Sequence, residues 1–296
     1  MFFSFYIIFL IEMILALHFV HHSSLIIFMT ITDTNFVGKI WFHFQELAST
    51  NGYVAAYLTE KTQAGEFLST EGAVFTTFNQ TAGRGQRTNN WHSEADKNLA
   101  FTAILHPRFL LATEQFCMNT AIALAIYDTI AEVLEMHAKS GTVNDLKIKW
   151  PNDIFIGNKK VAGILIQNTL HGATIQASAV GVGINVNQKR FNQLPDAGSL
   201  INFIGDYIDL YDLIQKLSIH IEKRFLELKS GERTAQQELY KTLLYRMSTP
   251  ALYRRVSDNF VFEGVIKNIT ASGCLVIEDK LGKQIFNLHE IKFVIN

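Results

Sequence analysis

Four strand-like segments crowd between Leu146 and Val186: Leu146 to Trp150, Asp153 to Ile156, Val161 to Asn168 and Thr174 to Val186. Pro151 sits in the first joint, and Gly157-Asn158-Lys159 forms a tight turn in the second. Joints this short leave no room for the crossover that parallel neighbours need, so the block predicts an antiparallel meander. The rest must pack around it. Ile40 to Phe44, Ala73 to Phe78 and Leu99 to Leu105 read as further strands, and Ser49-Thr50-Asn51 supplies N-cap residue types for a short helix through about Thr59. Phe116 to Met136 places Ile122, Ile126, Ile130, Val133 and Leu134 at helical spacing, with Asp128, Glu132 and Glu135 off that stripe. It therefore predicts a long helix with a buried face. Helical periodicity returns at Tyr207 to Lys229 and Thr234 to Arg246. Beyond Pro250 come short alternating segments at Ala251 to Val256, Val261 to Asn268, Cys274 to Glu278, Gln284 to Leu288 and Ile291 to Ile295. These predict a small β-barrel. The fold class is α+β: a mixed β-sheet backed by helices (29–248), with a C-terminal barrel (249–296).

With 296 residues, 48% of them apolar, the chain can bury a substantial core. Its formal charge of -1 and the absence of any Lys/Arg run disfavour nucleic acid as a partner. Cys117 and Cys274 lie far apart outside any CxxC spacing, which fits two buried thiols in a reducing, cytoplasmic setting. Residues 1–28 stand apart. Met1 to Val20 is almost wholly apolar, but Glu12 interrupts it and no Lys or Arg precedes Lys39. A signal peptide needs a basic start, and an ionised Glu12 would cost roughly 2.5 to 3.5 kcal/mol in a bilayer. With Met29 offering another start, a translated leader or mis-set start is expected in preference to a membrane anchor; a membrane partner follows only if the leader is real.

Two stretches carry chemistry. In Gln80-Thr81-Ala82-Gly83-Arg84-Gly85-Gln86-Arg87 the glycines are expected to shape a backbone anion nest, and Arg84 and Arg87 add planar cationic forks suited to carboxylate and phosphate. A bare GxG with two arginines is usually a solvated turn. Here Gln80, Arg84, Gln86, Arg87, Asn89, Asn90 and Trp91 make the segment too polar for packing alone. The second stretch is Lys149-Trp150-Pro151-Asn152-Asp153. Asn-Asp after proline is ordinary turn chemistry, but Lys160 follows a tight turn that returns it beside Asp153, and a lysine entering a sheet needs an anion. Asn185, in Gly181-Val182-Gly183-Ile184-Asn185, is a polar residue ending an apolar strand. No Walker A pattern, third dinucleotide glycine, HExxH or GxSxG is present. Among carboxylates, Asp153 is the best metal-ligand candidate, for Mg2+ carried with phosphates.

Taken in order, Ser49-Thr50-Asn51, Gln80 to Gln86, Trp91, Lys149 to Asp153, Lys160-Val161-Ala162-Gly163-Ile164-Leu165 and Gly181 to Asn185 closely resemble the biotin-protein ligases. The resemblance spans about Ile40 to Met247, and the barrel after Pro250 is similar to that family's SH3-like C-terminal domain. It implies the class II synthetase/biotin-lipoate ligase-like fold and a two-step reaction. Biotin and MgATP give biotinyl-5'-adenylate, whose acyl group passes to a lysine of a biotin carboxyl carrier protein. By resemblance, Ser49, Thr50, Asn51, Gln80, Arg84, Gly85, Gln86, Lys160 and Gly163 form the biotin site. Arg84, Arg87, Trp91, Asn152, Asp153, Lys160 and Asn185 serve ATP, Asp153 holds Mg2+, and Lys160, Arg84 and Asp153 are catalytic. The chain departs from the pattern at Gln86, where some members have a second arginine after Arg-Gly, which leaves the roles of Gln86 and Arg87 open. The apolar stretch before Ser49 does not resemble the helix-turn-helix domain of the members that repress transcription. A homodimer is an admissible assembly. The alternatives are a lipoate or octanoate ligase or transferase of the same fold, and a non-catalytic biotin-binding module.

Overall fold

The computed structural model describes residues 26–63, 70–87, 89–192 and 194–295. Most of the expected leader lies outside these residues. An eight-stranded sheet forms the centre, built from β1 (Ile26–Met29), β2 (Trp41–Phe44), β3 (Val74–Thr77), β6 (Leu99–Leu105), β7 (Leu146–Lys149), β8 (Asp153–Ile156), β9 (Lys159–His171) and β10 (Thr174–Ile184). The strand order is β1-β2-β3-β6-β10-β9-β8-β7. Only β2 and β3 run parallel, so the sheet is mixed and its β7 to β10 half is the antiparallel meander. A separate two-stranded hairpin, β4 (Gly83–Arg84) with β5 (Asn90–Trp91), projects between β3 and β6.

Period-two alternation sends Trp41, Val74, Phe101 and Ala103 to one face of the sheet and Phe42, Phe44, Phe75 and Ile104 to the other. The first face is covered by α2 (Gln115–Met136) and α5 (Leu210–Lys229), the second by α1 (Thr50–Gln63) through Val54 and Leu58. Helix α2 is long and apolar enough to cross a membrane, but most of it is buried beneath the sheet and α5. Short helices α3 (Ser140–Val143) and α4 (Leu200–Ile204) and the ten-residue α6 (Arg233–Thr242) complete this part.

Several boundaries move from expectation, each for a local reason. Residues 26–28, assigned to the leader, belong to β1, which pairs with β2 and sets Phe28 edge-on to Phe42 at 5.1 Å. Helix α5 begins at Leu210, not Tyr207, because the Asp209 carboxylate caps it by accepting from the Asp212 N–H at 2.8 Å. Helix α6 stops at Thr242 because the next residues pair with β7: Ile148 N donates to Leu243 O and Tyr245 N to Ile148 O. The C-terminal strands are β11 (Pro250–Arg255), β12 (Val261–Ile269), β13 (Leu275–Asp279), β14 (Gly282–Phe286) and β15 (Ile291–Phe293). They form one antiparallel sheet in the order β14-β13-β12-β11-β15. Among the described residues β14 and β15 remain its two edges, so the SH3-like unit is an open sheet and not the closed barrel expected.

Candidate active site

A cavity of about 790 Å³ opens at the meander end of the large sheet. Its base is set by three glycines on neighbouring strands, since Gly183 pairs with Gly163 and Gly181 with Leu165. A Cβ on Gly183 would come within 2.6 Å of the Trp91 ring, and one on Gly181 within 2.8 Å of the Asn51 amide. The glycines therefore form a trough in which Asn51 and Trp91 lie against bare backbone. That role explains Gly181 and Gly183, which read in sequence only as an incomplete nucleotide fingerprint.

The first turn of α1 forms one wall. Ser49 Oγ accepts from the Gly52 N–H at 3.2 Å, the N-cap that its residue type promised. Thr50 donates its N–H to Gln80 Oε1 at 3.0 Å and its hydroxyl accepts from Thr102 at 2.9 Å, tying the helix start to the hairpin and to β6. Asn51 donates to Leu165 O and Gln167 Oε1, while its Oδ1 is buried with no partner among the described residues. An acceptor of this kind can take an N–H from a ligand or a bond from water.

The hairpin forms a second wall, and it is not the anion nest expected. Gly83 and Gly85 do not adopt positive φ, and the Gly85 N–H is spent on Asn89 O at 2.8 Å. Gly83 is needed for close approach, since its Cβ would meet Trp91 O at 2.3 Å. The left-handed position of the loop is Arg87, at φ 56°. Arg84 and Arg87 are exposed, and Gly85 and Gln86 are half-buried beside them on the same cavity wall.

Opposite lie Lys149, Asp153 and Lys160. A register shift in the β8–β9 pairing turns the Lys160 ammonium to Asp153 Oδ1 at 2.5 Å, while Lys149 approaches Oδ2 at 3.7 Å. The Lys149 ammonium also lies 5.3 Å from the Phe155 ring centre and 5.1 Å from that of Phe293, a partly desolvated cation–π sandwich. Burial holds its pKa below the usual lysine value, opposed by Asp153 and reinforced by Lys160. Two lysines thus share one carboxylate. Around the whole cavity five basic side chains (Arg84, Arg87, Lys149, Lys160, Lys292) face two carboxylates (Asp153, Asp196). A chain of net charge -1 has gathered a cationic pocket, which suits a polyanion.

The two asparagines have structural partners. Asn152 donates its amide to Ile164 O at 2.6 Å. Asn185 donates to Gly198 O at 2.9 Å, which leaves only its buried, unpartnered Oδ1 for a ligand. Among the described residues no cluster of three metal-ligating side chains occurs. A divalent cation here would share the Asp153 carboxylate with Lys160 and Lys149 and draw its other ligands from phosphate and water, which is how Mg2+ usually binds.

The candidate site residues line this one cavity: Ser49, Thr50, Asn51, Gln80, Arg84, Gly85, Gln86, Arg87, Trp91, Asn152, Asp153, Lys160, Gly163 and Asn185, while Gly83 of the hairpin lies behind it. The sequence did not single out the fourth wall, formed by Phe191 and Leu194 to Ala197 together with His289, Lys292 and Phe293 of the C-terminal sheet. These residues carry no local motif and join the site only through tertiary contact. Burial lowers the His289 pKa, and the nearby Arg87 lowers it further.

Residues 48–185 match the Biotin/lipoate A/B protein ligase family. The chain is similar to the bifunctional ligase/repressor BirA of Bacillus spizizenii, 31% identical over 224 residues covering 73% of this chain and 65% of that protein. It thus spans just under two thirds of that relative's length. The biotin–acetyl-CoA-carboxylase ligase of Paracoccus denitrificans is 28% identical over 225 residues, covering 72% of this chain and 87% of that one. Among solved structures, the biotin protein ligase from Aquifex aeolicus in complex with biotin and ATP superimposes with a TM-score of 0.67 at 19% identity, over 86% of this chain and 99% of that one. This likeness establishes the fold.

Proposed function

We propose that this chain, whose residues 48–185 match the Biotin/lipoate A/B protein ligase family, is a member of that family that ligates biotin to a lysine of a biotin carboxyl carrier protein, using ATP. The observation that supports this reading is the convergence of the Lys149–Asp153–Lys160 cluster, Arg84 and the unpartnered Oδ1 of Asn51 on one cavity. Such a site can hold a neutral, N–H-bearing ring at one end and a phosphate chain at the other.

In the first step a biotin carboxylate oxygen bonds to the α-phosphorus of ATP, and the bond to pyrophosphate breaks. Anion meets anion, so the contribution of this chain is charge and position. Lys160 neutralises the attacking carboxylate and then the adenylate phosphate, and Arg84 bridges the biotin and phosphate ends. Thr50, Gln80 and Asn51 face the ureido ring, with Ser49, Gly85, Gln86 and Gly163 shaping its enclosure. Asn152, Asn185, Trp91 and Arg87 take the nucleotide. Asp153 would hold the Mg2+ carried with the nucleotide, which would supply further neutralisation of the phosphates. In the second step the carrier's lysine amine attacks the acyl carbon, an amide forms and AMP leaves. The adenylate is a hydrolysable anhydride, so the hairpin also shields it from water.

The test is to incubate the protein with ATP, a purified carrier domain, and biotin or lipoate, then weigh the carrier. A mass gain with biotin alone is the expected result; a gain only with lipoate or octanoate moves the chain to that branch of the family, and no gain with any acid removes the catalytic reading. Lys160→Ala should lower carrier biotinylation by about two to three orders of magnitude, the usual cost of losing one such electrostatic donor. Near wild-type turnover in that variant would exclude Lys160 from the mechanism.

A further inference from the structure

Between the last residue of β7 and the first of β8, Trp150, Pro151 and Asn152 form the turn that delivers Asp153 to the cavity. Each is held from a different direction. The Trp150 indole N–H donates to Gly273 O of the C-terminal sheet at 2.9 Å, and Asn152 is tied to Ile164 O at 2.6 Å. Pro151 has no N–H, so its carbonyl is its one backbone handle. That carbonyl accepts from Asn119 Nδ2 at 2.7 Å and from the Tyr240 hydroxyl at 2.8 Å, which uses both of its lone pairs. Asn119 lies on α2 and Tyr240 on α6, and neither touches the cavity. The Tyr240 ring is fully buried against Phe116. Its hydroxyl nevertheless senses Asp153: burial, with the Asp153 charge second, raises its pKa.

A turn fixed only by its two strands could rotate the Pro151–Asn152 peptide and carry Asp153 away from Lys160. Two donors converging on one carbonyl stop that rotation. We propose that Tyr240 and Asn119 are positioning residues for the nucleotide half of the site, holding the Pro151 carbonyl so that Asp153 stays set against Lys160. They act on the turn, not on the substrate. This inference rests on the ligase reading. It adds that the helices behind the sheet, together with the cavity wall, fix where Asp153 stands toward the nucleotide, a placement in which errors of about 1 Å cost on the order of a hundredfold in rate.

Pyrophosphate release by the whole chain, with MgATP and biotin varied separately, tests it. Tyr240→Phe deletes one donor and keeps the ring. Asn119→Asp keeps the shape of the other side chain and loses its N–H. Each should raise the KM for MgATP by about three- to tenfold, with more in the double variant, while the KM for biotin stays within twofold and Asn119→Gln retains part of the affinity. A side chain that only stabilises the fold would shift both KM values together with the melting temperature. That parallel shift, or an unchanged KM for MgATP in both single variants, overturns the proposal while leaving the ligase reading intact. A wild-type chain that releases no pyrophosphate overturns both.

Discussion

Arg87 occupies the left-handed region at φ 56°, where glycine fits without strain and most side chains do not. Replacing it with glycine therefore removes the guanidinium without disturbing the backbone of the loop, which separates charge from conformation. If Arg87 pins the adenylate phosphate, Arg87→Gly should retain the intermediate about ten- to hundredfold less well, the worth of one charge-assisted hydrogen bond at roughly 1.5 to 3 kcal/mol. Released adenylate would then label lysines on bystander proteins while transfer to the carrier slows. Free adenylate and bystander labelling, measured in Arg87→Gly and Gln86→Gly side by side, decide the point; leakage from the Gln86 variant alone would transfer the role. At this scale the sequence was most legible at Asp153 and Lys160, charged residues flanking a tight turn in an apolar meander, which the structure brings together. It was least legible at Gly83 and Gly85, whose purpose is close packing against Trp91 O and the Asn89 backbone and not the anion nest that the spacing suggested. Lys149, conspicuous in its motif, gave no sign that Phe293, far along the chain, would cover it.

The elements best foretold were those whose periodicity is set by their own burial, such as α2, β6 and the meander. The hairpin β4–β5 and the end of α6 were not, because backbone partners distant in sequence decide them. One connecting segment leans on a buried carboxylate. Glu222 on α5, only 5% exposed, accepts from the N–H groups of Asn35, Phe36 and Val37 and from the Asn35 amide, anchoring the segment between β1 and β2. Burial pushes its carboxyl upward, but these donors outweigh it and leave the pKa below the usual glutamate value. The sign follows directly. A depressed carboxylate contributes its full stabilisation above the unfolded pKa of about 4.3 and loses it as pH falls through the folded value. Glu222→Gln turns an NH2 toward donors that need an acceptor and forfeits about two charge-assisted bonds, on the order of 3 kcal/mol. Thermal melts should show the variant about 6 to 12 °C less stable at pH 7, with the gap closing below about pH 4. A gap of the same size at both pH values would mean that the carboxylate charge plays no part.

At the scale of the whole molecule, the boundary that the sequence draws at Pro250 is a change of strand pattern and not of core. Tyr253, Phe262, Ile266, Leu275 and Ile277 of the C-terminal sheet belong to the same apolar cluster as the residues of α2 and α5. Composition alone could not reveal this, since alternation fixes which face of a strand is buried and not what it is buried against. The arrangement of the indoles across this continuous body makes the molecule its own optical gauge. Trp41 and Trp150 are 3% and 2% exposed and have their N–H groups committed to Thr76 Oγ1 and Gly273 O. Trp91 lies in the cavity, its N–H unpaired among the described residues and its ring centre 5.7 Å from the Lys160 ammonium. Indole emission shifts with local polarity and nearby charge, so Trp41, outside the cavity, should glow unchanged, while Trp91 responds most to whatever enters and Trp150, buried at the cavity lining, responds less. Titrating biotin and then ATP should change the emission in steps, Trp91→Phe should remove most of both changes, and a full response that survives that substitution would place the reporting ring at Trp150.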